Sequence, residues 1–445
     1  MKRITFTFLL VILLIGQSFG QKRKPNPATY LQAGPMVGYC EMREVMLWVQ
    51  TRIPATVHIE YQAQNPKGPV FKTNAYNTTE EEAYAAHLLA NKVQPGLTYD
   101  YTLFINGSPV KRPYPTTFQT PPNWKYREEP PTMKIALGSC SYINDSIYDR
   151  KGKPYGGDPV IYTSIHEKRP DMMLWLGDNV YSREPDWWTR TGWYHRYSHS
   201  RKTEEMQALL GSTAHYAVWD DHDYGPNNSD RSYRAKDIAW ETFQHFWANP
   251  SYGVNGKKGV TTSFVWGDAE FFLLDNRYFR DPNDKKTQTR SILGEEQLQW
   301  LIDALISSTS KFKFVCMGGQ LINTVDKYEN YANIAPAERQ YILNTIATEG
   351  IKNVIFLTGD RHHSELSKYE KNGITIYDFT VSSLTARAYD AEKEPNALRV
   401  PGSQVGQHNF GIMTIEGPRK ERTLVLEIFD KTGKSLWKYE VAVEQ

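Results

Sequence analysis

The chain has 445 residues, with 52 Lys or Arg against 50 Asp or Glu and a net charge of +2. That balance gives no global electrostatic case for nucleic acid or an acidic membrane, so any preference for an anionic substrate must come from local charge. A hydrophobic share of 40% with 13% aromatics excludes a disordered chain, and the length favours two domains over a single core.

Residues 1–20 read as a secretory signal, which predicts export to the periplasm or medium. Met1-Lys2-Arg3 is the basic start, Ile4 to Ile15 an apolar segment of about 12 residues, and GQSFG the small-residue exit. The apolar segment is shorter than the roughly 20 residues that span a bilayer. No cysteine follows it closely, which argues against a lipid anchor, and no later segment is long and apolar enough to cross a membrane. Three cysteines do not make a disulfide framework. Cys40 and Cys316 lie in strand-like runs and read as small buried residues, whereas Cys140 closes a strand in a GSC turn.

Residues 21–31 are basic and proline-containing, a mobile leader. From 32 to 120 the signals are β: MLWVQT, TVHIEYQA, AYAAHLLA, TYDYTLFING and TTFQT are short runs divided by Pro, Gly and Asn turns. The stretch VQPGLTYDYTLFING (93–107) resembles the Pro-Gly turn and Tyr-x-Tyr strand of fibronectin type III domains. A fibronectin- or Ig-like β-sandwich is expected there. PPNWKYREEPP (121–131) is a linker. Residues 132–445 alternate strands and helices, an α/β domain. Its helical segments are DPVIYTSIHEKR, KTEEMQALLG, RSYRAKDIAWETFQHFWAN, GEEQLQWLIDALISS and APAERQYILNTIATEG. Acid at Glu295 and Glu296 and proline at Pro336 suit the first turns of the last two. The end of the chain reads as antiparallel strands around a Lys-Thr-Gly turn that complete the sheets.

Six apolar runs in this domain end in polar clusters: MKIALGSC (133–140), DMMLWLGDNVY (171–181), HYAVWDDHDYGPNN (215–228), FFLLDNRY (271–278), FKFVCMGGQ (312–320) and NVIFLTGDRHH (353–363). Open α/β sheets bind ligands beyond the carboxyl ends of their strands. One such cluster would mean little; six predict a metal centre assembled from strand ends. In GDNVY, Asp178 can bridge two metals, and Tyr181 can reach the same metal as a phenolate, a hard ligand suited to Fe(III). WDDHD crowds carboxylates that repel unless a cation absorbs them. Asp221 and His222 can ligate, orient an attacking group or support the ligands, and Asn227 can offer its amide oxygen. Asp360 and His362 share the GDRHH turn. Arg361 is a candidate phosphate clamp, with a surface ion pair as the alternative, and Arg277 of LDNRY has the same claim.

Together GSC, GDNVY, WDDHD with its following Asn, DNRYFRD, LGEEQLQWL, GDRHHSEL and HNFG (408–411) are similar to PhoD-type (alkaline phosphatase D) metallophosphoesterases, over about residues 30–415. The resemblance implies a calcineurin-like double-sheet sandwich flanked by helices behind the small β-sandwich. It implies Fe(III) held by Cys140 and Tyr181 with Ca(II) beside it; zinc or manganese are the alternatives. Cys140 then matches the thiolate, Asp178 the bridge, Asn227 the amide ligand, and Asp360 with His362 the late metal-binding pair. Gln320 stands where many relatives carry a further His. The loop DYGPNN departs from the usual Glu-containing run, leaving Asn227 and Asn228 as alternatives for the amide.

The expected function is an exported hydrolase of phosphate mono- or diesters, in which a metal-activated water attacks phosphorus, with His222, Arg361 or Arg277 assisting. Phospholipid or cell-wall phosphodiesters are the alternative substrates, with the loop REPDWWTRTGWYHRY (183–197) as a lid or as packed aromatic structure. A non-catalytic cell-surface binding protein is the rival reading. No GxSxG elbow, P-loop or GxGxxG supports a serine hydrolase, NTPase or dinucleotide enzyme.

Overall fold

A computed structural model describes residues 26–149, 151–152 and 154–444; the proposed signal segment and most of the leader lie outside the described residues. The described chain is built on two large sheets. One has nine strands, in the order Ser435–Val441, Thr423–Asp430, Asn409–Glu416, Met133–Gly138, Met172–Leu176, Ala214–Val218, Leu31–Cys40, Val45–Thr51, Ala85–Ala90. The other has six, in the order Thr262–Trp266, Ala269–Leu273, Phe312–Met317, Val354–Thr358, Ile374–Thr380, Glu365–Lys371.

The apolar runs carry little alternation because both faces of these strands are buried. In Met172–Leu176, residues 172, 174 and 176 enter the core between the sheets, while Met173 and Trp175 face an outer helical layer. In Phe312–Met317, Phe312, Phe314 and Cys316 join the central core, and Val315 and Met317 pack outward under helices Glu295–Ser307 and Pro336–Thr348. The result is the helix–sheet–sheet–helix sandwich that the family resemblance implies. Cys40 and Cys316 are core residues, as read. The five helical segments appear as Val160–Glu167, Glu204–Leu210, Lys236–Phe246, Glu295–Ser307 and Pro336–Thr348, and a sixth helix, Arg190–Arg201, follows the aromatic stretch. No helix among the described residues is long and apolar enough to cross a membrane.

Toward the N-terminus, Thr56–Ala63 and Thr98–Ile105 pair antiparallel and pack against Leu31–Cys40 and its neighbours, burying Val57, Ile59, Tyr61, Tyr99, Tyr101 and Leu103. This is a β-sandwich, but one of its sheets does not stop at a domain edge. Leu31–Cys40 also pairs in parallel with Ala214–Val218, at Val37 and Ala214, so the N-terminal strands extend the nine-stranded sheet.

Strand direction positions the site. Met133–Gly138, Met172–Leu176 and Ala214–Val218 are mutually parallel, as are Ala269–Leu273, Phe312–Met317, Val354–Thr358 and Ile374–Thr380. Parallel neighbours end on the same edge, so all six polar clusters leave the sheets together. The edges converge tightly at Gly359, where a Cβ would lie 2.5 Å from the Leu176 carbonyl and 2.7 Å from Ser139 Cβ. Only glycine lets the two sheets approach this closely.

Candidate metal centre

The turns after the strands are tied to one another before any side chain reaches the site. Cys140 N–H donates to the Gly177 carbonyl (3.2 Å) and Ser141 N–H to that of Asp178 (2.8 Å). Asp223 accepts from the backbone of Asn179 (3.0 and 3.2 Å) and of Asp220 (3.0 Å), locking the GDN turn to the WDDHD turn. This third carboxylate of WDDHD is therefore a structural tie. Burial holds its pKa up at about 8. Cys140, Asp178, Asp360 and His362 all sit at positive φ, between 50° and 65°. Left-handed conformations in residues other than glycine cost energy and concentrate at functional sites, where they aim side chains a relaxed turn would not.

Two groups of donors form from these turns. The ligand atoms of Cys140, Asp178 and His362 lie within 4.8 Å of one another, and so do those of Asp178, Asp221 and His222. Asp178 belongs to both. Its Oδ2 is 3.7 Å from Cys140 Sγ, and its Oδ1 accepts from the His222 N–H at 3.3 Å. Tyr181 is buried beside the first group, its hydroxyl 3.1 Å from His362 Nε2 and also within reach of the Cys140 sulfur. His362 Nδ1 faces the Arg387 carbonyl at 2.7 Å, which orients the ring. Ser382 donates to Cys140 Sγ at 3.1 Å.

Asp221 and Asn228 are joined by an N–H to Oδ2 bond of 2.7 Å, leaving Asp221 Oδ1 buried without a partner. His222 Nδ1 is also unpartnered, and its ring lies 4.3 Å from that of Tyr181. Asn227 and Asn228 are exposed at the mouth of the site, with Asn227 Nδ2 on Asn228 Oδ1 at 2.8 Å. Asp360 lines the same cleft, outside the two closest groups.

Electrostatics explain what this arrangement needs. Burial, then the neighbouring Asp221 and Cys140 charges, push the Asp178 carboxyl well up. Burial followed by Asp220 and Asp221 holds Asp360 at about 7, and burial with Asp360 pushes the Cys140 thiol up to about 12. Tyr181 is raised by burial and Asp178, and burial lowers His222 to about 4. Two carboxyls, Asp178 and Asp360, a thiol, a phenol and an imidazole converge where none is comfortable charged, whereas Asp221 is held low against its burial by His222, Arg277 and the Asn228 N–H. A cation removes that cost for all of them. The donor set fits metal ions: thiolate, phenolate and imidazole at one end, carboxylate and amide oxygens at the other.

The arginines divide. Arg361 lines the cleft, with NH1 on Gln320 Oε1 (2.7 Å) and NH2 on Glu394 (2.6 Å). Arg277, expected as a phosphate clamp, is instead 1% exposed and spends its guanidinium on Asp220 (2.5 Å) and Glu329 (2.7 Å). It balances the acidic wall behind the site; WDDHD leaves a fully buried Asp220 that needs a cation. Gln320 also lies behind the site, donating to Glu365 and Thr380 at 2.8 Å each. None of residues 183–197 lines the cleft: Trp193 is core, and Trp188 packs on Tyr233 and Arg234.

The cleft measures about 480 Å³ and is also lined by Tyr155, Tyr328, Glu329, His363, Tyr389 and Glu394. Apart from His363 of GDRHH, the sequence did not mark this outer wall, because it comes from loops without motif or periodicity. Asn276 was missed too, although it adjoins Arg277: its Nδ2 holds Asp220 at 2.9 Å.

A family model described as PhoD-like phosphatase matches residues 136–423, and one for a domain of unknown function (DUF7800) matches residues 28–123. Alkaline phosphatase D of Bacillus subtilis (strain 168) is 24% identical over 376 residues, 72% of this chain and 61% of that protein. The match thus spans about three fifths of the curated relative's length. A solved structure of PhoD superposes with a TM-score of 0.75 at 18% identity, covering 95% of this chain and 94% of the other. The purple acid phosphatase PPD1 from yellow lupin seeds gives a TM-score of 0.65 at 11% identity, covering 92% and 74%. At these identities the two structures speak for the fold.

Proposed function

Because this chain belongs to the PhoD-like phosphatase family, we propose that it is an exported, metal-dependent phosphoric ester hydrolase of the alkaline phosphatase D type. The observation that carries the reading is the overlap of two donor groups at Asp178. Export rests on the N-terminal sequence alone.

In this reading Cys140, Tyr181, Asp178 and His362 would hold Fe(III). Asp178, Asp221 and the amide of Asn227 or Asn228 would hold Ca(II), with Asp360 lining the same cleft as a further carboxylate. Bound metal ions would supply polarisation of the phosphoryl oxygens and a lowered pKa for water. The protein supplies the rest. Asp178 fixes the spacing of the two sets, and His362 is oriented through its Nδ1 contact. Arg361, pinned by Gln320 and Glu394, places a guanidinium on the cleft wall for the phosphoryl oxygens. His222, kept neutral above about pH 4 by burial, lines the cleft as a candidate hydrogen-bonding partner for the phosphoryl oxygens. The binding-protein reading leaves the orphaned Asp221 Oδ1 and His222 Nδ1 without a purpose.

The test is quantitative metal analysis of the chain from residue 21, purified without chelator, followed by assay on phosphate mono- and diesters. About one iron per chain with calcium alongside, and ester hydrolysis lost on chelation, is the expected result. Zinc or manganese in place of iron would keep the hydrolase and remove the ferric assignment. A chain that binds no metal after reloading would remove both.

A further inference from the structure

The cleft carries aromatic surface that holding metal ions does not require. Tyr328 is 61% exposed and Tyr389 50% exposed, and both line it, with the half-buried Tyr155 further in. Single exposed aromatics are ordinary on a protein surface; two at the mouth of one cleft, beside its donors, are a shared feature.

Both rings are held in place. The Tyr328 ring lies over the Arg361 guanidinium, 4.7 Å from its centre, and Arg361 is itself fixed by Gln320 and Glu394. Tyr328 also sits at φ 60°, with its carbonyl accepting from Asn333 Nδ2 at 2.6 Å. Tyr389 donates its N–H to the His362 carbonyl at 2.8 Å, and its ring is 5.5 Å from the His362 ring. Tyr155 stands 5.9 Å from both Tyr181 and His362, a ring contact between the metal donors and the open part of the cleft. At about 480 Å³ the cleft is in the range of drug-sized ligand sites, larger than a phosphoryl group needs. Rigid aromatic faces bind at low entropic cost.

We propose that the cleft selects phosphate esters whose alcohol carries a flat π-face, aryl or nucleobase, stacked on Tyr328 and Tyr389. This rests on the phosphoesterase reading, and places the phosphoryl group at the donors around Asp178. Stacking acts on the ground state and the transition state alike, so it lowers KM more than it raises kcat.

The experiment compares naphthyl phosphate, a nucleoside phosphate, glucose phosphate and glycerol phosphate with the metal-loaded protein, the Y328A/Y389A double variant and the Y328F/Y389F double variant. The alanine variant should lose about tenfold in kcat/KM on the flat-ring esters relative to glycerol phosphate, carried by KM. The phenylalanine variant should keep wild-type selectivity. A loss on naphthyl phosphate alone or on the nucleoside phosphate alone tells which flat ring is the natural one. Equal loss on all four esters overturns the proposal, as does a loss on glucose phosphate as large as on the flat rings. Phenylalanine variants as poor as alanine would overturn it too, by moving the contact to the hydroxyls. Metal content measured on each variant shows whether the centre is intact. A metal-loaded wild type that cleaves neither these four nor the corresponding diesters overturns the phosphoesterase reading and this one with it.

Discussion

The phenol oxygen of Tyr181 lies 3.1 Å from Nε2 of His362, across 181 residues of chain. Tyr181 follows a strand of the nine-stranded sheet and His362 a strand of the six-stranded one. The candidate centre is therefore a clamp across two sheets, and its ligands are in place only when both sheets are packed.

Tyr181 is the residue by which the iron assignment can be tested without an assay. If it ligates Fe(III) as a phenolate, the loaded protein absorbs visible light through phenolate-to-iron charge transfer. Tyr181→Phe should abolish that band while leaving the fold intact, read by absorption and circular dichroism. A visible spectrum unchanged by the substitution would take Tyr181 out of the coordination sphere, since a residual band alone can come from the Cys140 thiolate.

Arg277 should behave as a structural cation. Arg277→Ala leaves the buried Asp220 with the Asn276 amide but no cation, while Glu329 keeps Arg280. Stripping one partner from a buried ion network costs about 3–5 kcal/mol, to be read by denaturant unfolding. Had Arg277 gripped the substrate, the variant would raise KM at unchanged stability.

Gly318 sits against the same wall. A Cβ there would lie 2.4 Å from Asp220 Cγ and 2.7 Å from Asn276 Nδ2. Gly318→Ala should displace Asp220, loosen its bond to Arg277 and weaken metal retention, seen as faster loss of metal to a chelator. Retention equal to wild type would show that the wall yields without disturbing the donors.

Asp378 links pH to stability away from the donors. It is buried and accepts from the Leu321 and Ile322 N–H groups at 2.8 Å and from Thr358 Oγ1 at 2.7 Å. Burial holds its pKa up at about 6, against roughly 3.9 in an unfolded chain. Between those values the folded protein keeps a proton that the unfolded chain gives up. The contribution is full below about pH 4 and is lost as pH rises through about 6, a swing of about 3 kcal/mol. Asp378→Asn cannot titrate, so the difference between variant and wild-type stability should change over this window and level off above it, by unfolding at stepped pH.

The aromatic loop offers a negative control. Trp188 is 43% exposed and packs on Tyr233 and Arg234, outside the cleft. Trp188→Ala should leave kcat/KM for mono- and diesters within about twofold of wild type. Selective loss on diesters would restore the lid.

The sequence by itself determined the alternation of strands and helices and marked most of the candidate donors, while the double-sheet class followed from the family resemblance. Strands buried on both faces must be apolar runs, and a polar cluster ending such a run must lie at a sheet edge. Cys140, Asp178, Tyr181, Asp221, His222, Asp360 and His362 were legible for that reason. Tertiary structure alone decided which of them meet. The two donor groups around Asp178 exist because parallel strands from two sheets end on one edge, a contact between segments far apart in the chain. It also decided that Arg277 faces Glu329, since the same LDNRY run is compatible with a clamp or with a buried partner until the opposing loop is placed. The joining of Leu31–Cys40 to Ala214–Val218 was hidden likewise: backbone pairing at a sheet edge leaves no mark in side-chain pattern. The Tyr328 and Tyr389 rim was beyond reach because loops carry no period, and their residues acquire a common purpose only when the fold brings them to the same cleft.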